Sequence, residues 1–296
     1  MSKLRRFVAF VFAISGITFC IREIFQRGKV IIVIYHDPEP DVFKKHMAYL
    51  SKVYNFVPLS DLVAAIQSRD WSGVPKKGLV VTFDDGIKQT YELLSLFRKY
   101  KVIPTIYLCS HIVGTYRKFW FRAGLENYSR LKQVENSQRL EALKEAIDYE
   151  PDKEYSDRQA LNWEEIREMS PDVDFQSHSQ SHPILINCSD EECREEIEGS
   201  KAQLERDLNK SVEHFCYPNG DYSAREVNFV KNAGYTSARS VDIGWNSVNS
   251  DPYRLKAMYV DDDATINVLK VQAAGILGYI RHLRKGRFDG THPPYV

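Results

Sequence analysis

The sequence predicts an α/β fold in which parallel strands alternate with helices, either as a wound sheet or as a barrel. Three observations lead there. Val30–Tyr35 is an unbroken, largely β-branched run, as expected for a strand buried on both faces. Comparable apolar runs recur at 79–83, 105–108, 173–176, 214–217 and 236–238. Segments of helical periodicity lie between them, and strand-helix alternation favours parallel pairing. With 296 residues, 43% of them hydrophobic and 12% aromatic, the chain can build one large domain, with or without an appendage. Lys and Arg together number 40, as do Asp and Glu, so the formal net charge is zero and no nucleic-acid partner is expected.

Residues 1–27 stand apart. Lys3, Arg5 and Arg6 precede an apolar run at 7–21 that Arg22 closes. Basic then apolar is the order of an export signal whose basic end stays in the cytoplasm. No small-x-small cleavage site follows, and Phe19 before Cys20 spoils a lipoprotein signal, so an uncleaved signal anchor is expected. The run is shorter than the roughly 20 residues of a full span, and an amphipathic or buried helix of a cytoplasmic protein is the alternative. The expected placement is therefore membrane-anchored and extracytoplasmic, with a cytoplasmic one left open. The remaining residues, 28–296, are expected to form one folded domain.

The first strand, Val30–Tyr35, ends in His36-Asp37, and Phe43, Met47, Leu50 and Val53 mark the helix after it. The run at 79–83 ends in Asp84-Asp85-Gly86, followed by a helix carrying Tyr91, Leu94, Phe97 and Arg98. A charged, aromatic stretch at about 114–160, including Phe119-Trp120-Phe121, breaks the rhythm and is expected to be a helical insertion, serving either as packing or as a lid and groove wall. The run at 173–176 leads to His178. Ser189 and Glu192 fit a capping box that opens a charged helix with Cys193, Ile197, Leu204 and Leu208 facing inward. Active sites in such folds gather at the carboxyl ends of strands, where three polar clusters fall. The five cysteines form no CxxC pair; a bridge between Cys188 and Cys193 is the minor possibility. Near the end, Leu269, Ile276, Leu277, Ile280 and Leu283 run beside Lys270, Arg281, Arg284 and Lys285, a basic amphipathic pattern that packs on the barrel or lies on a membrane.

Two sequence stretches point to chemistry. Asp84 and Asp85 offer adjacent carboxylates, with Gly86 free to turn the chain. His178 and His182 are spaced so that both rings reach one ion, and Ser177, Ser179 and Ser181 are candidate hydrogen-bond partners for them. One aspartate and two histidines leave coordination positions open for water and substrate, which is a catalytic layout.

Taken with Phe215-Cys216-Tyr217-Pro218-Asn219-Gly220, the TFDDG and HSQSHP stretches resemble the polysaccharide deacetylase family, the NodB-homology domain of carbohydrate esterase family 4. The N-terminal Tyr35-His36-Asp37 resembles a motif of its circularly permuted members, such as bacterial poly-N-acetylglucosamine deacetylases. The resemblance implies a distorted (β/α)7 barrel and one divalent metal ion, zinc first, with cobalt, nickel or iron as alternatives. It implies Asp85, His178 and His182 as ligands, Asp84 as general base, and His36 as general acid. The oxyanion would rest on the Asn219 N–H, with Pro218, Tyr217 and Trp245 beside the substrate. The implied activity is removal of acetyl groups from N-acetylated sugars of a cell-envelope or exported polysaccharide, or of a lipid-linked saccharide. A carbohydrate-binding pseudoenzyme, and a sugar O-deacetylase or deformylase, are the alternatives. Two departures stand out: the arginine that opens the family's third motif falls at Cys216, and the one in its late LPRI stretch falls at Ala257, where Arg254 or Lys256 could compensate. Asp261-Asp262-Asp263 is expected to be a solvated loop.

Overall fold

The computed structural model describes residues 3–126 and 128–275. Among these residues, eight parallel strands make one sheet: β1 (Val30–Tyr35), β2 (Asn55–Phe56), β3 (Gly78–Phe83), β4 (Thr105–Leu108), β5 (Asp174–Ser177), β6 (His214–Cys216), β7 (Ser237–Arg239) and β8 (Met258–Tyr259). Their order is β7-β6-β5-β4-β3-β1-β8, with β2 beside β3 at its amino end. The two ends of that path approach each other where Leu255, just before β8, bridges Arg239 of β7. The result is a distorted (β/α)7 barrel. Two strands, β2 and β8, were absent from the sequence expectation; each is only two residues long, too short for any periodicity to show.

Among the described residues, ten α-helices surround or flank the sheet: α1 (Lys3–Ile14), α2 (Ile17–Cys20), α3 (Pro40–Val53), α4 (Leu59–Ser68), α5 (Leu94–Tyr100), α6 (Asn136–Ile147), α7 (Trp163–Met169), α8 (Asp190–Leu208), α9 (Ala224–Asn232) and α10 (Ile266–Ala273). Alternation along the strands sorts the core. Val30, Ile32 and Ile34 of β1 join Val80, Tyr107, Cys216 and Leu255 inside the barrel, with Leu62 and Ile66 of α4 in the same cluster. Ile31, Val33 and Tyr35 point the other way and meet Phe43, Met47 and Phe97 of the outer helices. Every residue of β1 and β3 is buried, which explains why their sequences show no polar alternation. Each Val, Leu, Ile or Phe side chain among them contributes roughly 1.5–3 kcal/mol of burial free energy.

Helix starts are set locally. Ser189 accepts from the Glu192 N–H while Glu192 reaches back to the Ser189 N–H, and the same reciprocal box opens α7 at Asn162 and α9 at Ser223. Within α8, Cys193, Ile197 and Leu204 are buried as expected, and all five cysteines are unpaired, Cys188 and Cys193 included. No single described helix is long and apolar enough to cross a membrane. Of the amphipathic pattern that includes Leu269 and Lys270, the part from 276 onward lies outside the described residues.

Candidate active site

The carboxyl ends of the strands surround a cavity of about 460 Å³, lined by His36, Asp84, Asp85, His178, His182 and Asn219 among others. β1 delivers His36 and β3 delivers the two aspartates. β5 delivers His178, and the turn after β6 delivers Asn219. Residues in the left-handed region cluster here: Asp85 (φ 71°), Ser179 (65°), His182 (60°) and Asn219 (57°). Gly86 shares it at φ 68°, where a Cβ would come within 2.6 Å of Leu108 Cδ2. The chain thus turns at Asp85-Gly86, which sends adjacent carboxylates to different tasks. Such backbone cost is commonly concentrated where function fixes a side chain.

Asp85 Oδ1 faces both imidazoles, 3.5 Å from His178 Nε2 and 3.4 Å from His182 Nε2. It is buried and has no hydrogen-bond partner. His178 Nδ1 lies 2.9 Å from the Cys216 carbonyl oxygen. A carbonyl can only accept, so Nδ1 carries the proton and Nε2 turns a lone pair toward Asp85. Burial lowers the pKa of His178, against the pull of Asp84 and Asp85. Burial, reinforced by His178, pushes that of His182 far down. Both rings are therefore neutral and fit to ligate. Burial also raises the Asp85 pKa, the condition of a carboxylate whose compensating charge must come from a cation. This trio fits a divalent metal by donor type and by spacing, its ligand atoms lying within 4.8 Å of one another. A second cluster, Asp84, His178 and Cys216, passes the same distance test. It is the poorer set, because burial keeps the Cys216 thiol protonated and Asp84 is already engaged.

Asp84 is engaged by Arg239. The guanidinium, fully buried at the end of β7, donates from Nη2 to Asp84 Oδ1 and lies 2.6 Å from Cys216 Sγ. Burial alone would raise the Asp84 pKa, but the positive charge beside it, Arg239 first, outweighs that and holds the carboxylate below its ordinary value. Arg239 did not figure in the sequence expectation. Cys216 and Arg239 are direct partners across the β6-β7 pairing, so the guanidinium missing at position 216 arrives from the next strand at the same level. Arg254 and Lys256 do not compensate: Arg254 pairs with Asp251 at 3.8 Å, and the Lys256 stem lies against Gly244.

His36 stands across the cavity, its Nε2 3.9 Å from Asp84 Oδ2. Its backbone N–H and that of Asp37 both donate to the Asp262 carboxylate, each at 3.1 Å. Asp262 is thus a half-buried support at the cavity edge, not part of a solvated loop as expected.

The segment 114–160 builds one wall. Trp120 Nε1–H donates to the His182 carbonyl at 2.8 Å, and the Phe121 ring centroid lies 4.7 Å from that of His182. Arg122 pairs with Asp37 at 3.1 Å, and Lys132 donates to Asn219 Oδ1 at 2.8 Å. Tyr128 and Tyr259 complete the aromatic lining. Three expected substrate residues are not among those lining the cavity. Tyr217 is buried behind it, its hydroxyl on the Tyr253 carbonyl, and Pro218 opens the turn that carries Asn219. Trp245 packs against the core with Lys29 over its ring at 4.6 Å. The serines beside and between the histidines also serve otherwise: Ser177 meets Ser200, Ser179 accepts from the His182 N–H, and Ser181 bonds Glu196.

An all-parallel barrel that gathers a trio able to ligate a cation, a carboxylate paired with a buried arginine and a histidine at its strand ends has the layout of a (β/α)-barrel hydrolase. Residues 72–238 match the polysaccharide deacetylase family, and the chain belongs to that family. No curated protein matches it. Among solved structures it is similar to the Streptococcus pyogenes deacetylase PplD in complex with acetate, at 17% identity over 82% of this chain and 98% of that one, with a TM-score of 0.62. IcaB from Ammonifex degensii gives the same identity and TM-score over 83% of this chain and 97% of that one. The de-N-acetylase from Aggregatibacter actinomycetemcomitans follows at 16% identity and 0.58, covering 82% and 98%.

Proposed function

We propose that this protein is a metal-dependent de-N-acetylase acting on N-acetylated sugars of a cell-envelope or exported glycan. The observation that carries the reading is the division of labour between adjacent aspartates: Asp84 is ionised by a buried arginine, while Asp85 faces two neutral imidazoles. The family supports deacetylation, and the names of the structural neighbours agree with it.

Asp85, His178 and His182 would hold one divalent ion, zinc in the first place with cobalt, nickel or iron as alternatives, which when bound acidifies water and polarises the amide carbonyl. Asp84 accepts the proton of the attacking water, and Arg239 keeps it ionised to do so. The Asn219 N–H, at the turn on the cavity wall, is the donor assigned to the developing oxyanion. His36, protonated, delivers its proton to the departing nitrogen. The amide C–N bond breaks, the water oxygen stays on the acetyl carbon, and acetate and a free amino sugar leave. Trp120, Phe121, Tyr128 and Tyr259 offer apolar walls for a sugar ring, and Arg122, Lys132, Asn219 and Asp262 are among the polar groups placed to orient it.

Arg239 bears on the pseudoenzyme alternative, since it supplies a buried guanidinium beside Cys216, where the family's arginine is missing. The test is acetate and amine release from an N-acetylglucosamine oligomer by protein stripped with chelator and reloaded with zinc, cobalt, nickel or iron. Stoichiometric acetate and amine, dependent on metal, support the proposal. Formate release, or acetate only from O-acetylated sugar, would move the substrate class. Sugar binding without turnover under any metal would make this a binding module.

A further inference from the structure

The apolar surface of this molecule is concentrated in one place. Among the described residues, nine of the thirteen large hydrophobic side chains that remain exposed lie between Phe7 and Phe25, with Phe7 at 64% and Ile24 at 67%. They sit on α1, α2 and the helical turn that follows. The opposite face of the segment is docked on the barrel. Ala9 and Thr18 are buried, and α1 runs along α10. The Gln26 amide donates to the Ala273 carbonyl at 2.9 Å, Arg22 to the Tyr49 hydroxyl at 3.3 Å, and Glu23 pairs with Lys77 at 3.2 Å. The two helical legs meet at 66°, across a break containing Gly16 in the left-handed conformation at φ 77°.

A membrane span would have to straighten that bend, release those contacts and take Arg22 and Glu23 into hydrocarbon, where charged side chains are strongly disfavoured. A helix lying in the headgroup plane needs none of this. We infer that α1, α2 and the turn after them form an interfacial element that seats the barrel on an anionic bilayer surface. The charge fits that occupant, because Lys3, Arg5 and Arg6 open the element. Its position bears on the active site as well. Arg6 reaches Asp263 at 3.8 Å, beside the Asp262 that supports His36, so the basic end of the element lies at the edge of the catalytic cavity. The bilayer then holds the cavity next to saccharides carried on lipid. That last consequence rests on the deacetylase reading; the lipid seat does not.

The experiment is flotation of the purified full-length chain with vesicles of phosphatidylcholine alone or containing phosphatidylglycerol. The wild type floats with the anionic vesicles, loses binding as salt rises and is released by alkaline carbonate. The triple variant Phe10→Ser, Ile14→Ser, Phe19→Ser partitions roughly a hundredfold more weakly or worse, with an unchanged circular dichroism spectrum. Phe7→Trp, which leaves the packing face untouched, gains emission quenched by brominated lipid. Wild-type protein that fails to float would overturn the inference, and so would resistance to carbonate, the mark of a span. A dimer that the triple variant converts to monomer would mean that a second copy covers this face.

Discussion

Moving one arginine between neighbouring strands should switch the site off and on again. Arg239→Met keeps the volume and removes the charge beside Asp84. The carboxylate is buried, and Arg239 is its strongest opposing charge. Breaking a buried pair from one side costs about 3–5 kcal/mol of stability, a large share of the roughly 5–15 kcal/mol a domain of this kind possesses. Part of that cost is avoided by protonating Asp84, which disables the base. Turnover should fall by about 10²–10⁴, the usual contribution of a positioned general base. Adding Cys216→Arg to the same chain should return most of it. Position 216 faces position 239 across the strand pair, and its Sγ is 2.6 Å from the guanidinium and 3.9 Å from Asp84 Oδ2. The assay is acetate release under saturating substrate, with bound metal measured on the same samples. If Arg239→Met were fully active, or if the double variant were folded and metal-loaded yet no better than the single one, the assignment of Arg239 as the group that positions and ionises Asp84 would be wrong.

Two further outcomes are expected. His36→Ala should lower turnover by about 10²-fold or more while metal content stays at the wild-type level; loss of metal would reassign His36 to the ligand set. Glu226 tests linkage away from the site. Burial raises its pKa, but the Ser223 cap and Arg225 hold it below the ordinary value. Its contribution is therefore present above the unfolded carboxylate pKa and lost as pH falls through the folded one. Glu226→Gln should cost about 1–3 kcal/mol at neutral pH and flatten the acid limb of a urea-denaturation series; an unchanged limb would mean the carboxylate carries no such load.

What the sequence revealed follows from how local each signal is. β1 and β3 were legible because both faces of each strand are buried, and the box formed by Ser189 and Glu192 because its reciprocal partners are only three positions apart. Asp84, Asp85, His178 and His182 were legible as motifs, and the structure brings all four into one cavity with His36 and Asn219. Arg239 was not, since its meaning depends on pairing with a residue 23 positions earlier in the chain; a charge closing a buried strand was the only available sign. Asp262 sits in a run of three aspartates that looks like solvent-facing sequence, and nothing local reveals that its oxygens hold the His36 and Asp37 amides. Trp245 misled for the opposite reason: it is a large aromatic near the motifs in sequence, but its ring packs beside Lys29, at the amino end of β1 and away from the strand ends that form the site. The aromatic wall from 114–160 depended on how a long insertion folds back, which no periodicity encodes.

The claim on which everything else depends is that adjacent aspartates do different work. Metal stoichiometry and acetate release, measured together on Asp84→Asn and Asp85→Asn, test it most directly. Asp84→Asn should retain one ion per chain and release almost no acetate, whereas Asp85→Asn should lose the ion. Equal metal loss in both variants, or substantial turnover in Asp84→Asn, would contradict it.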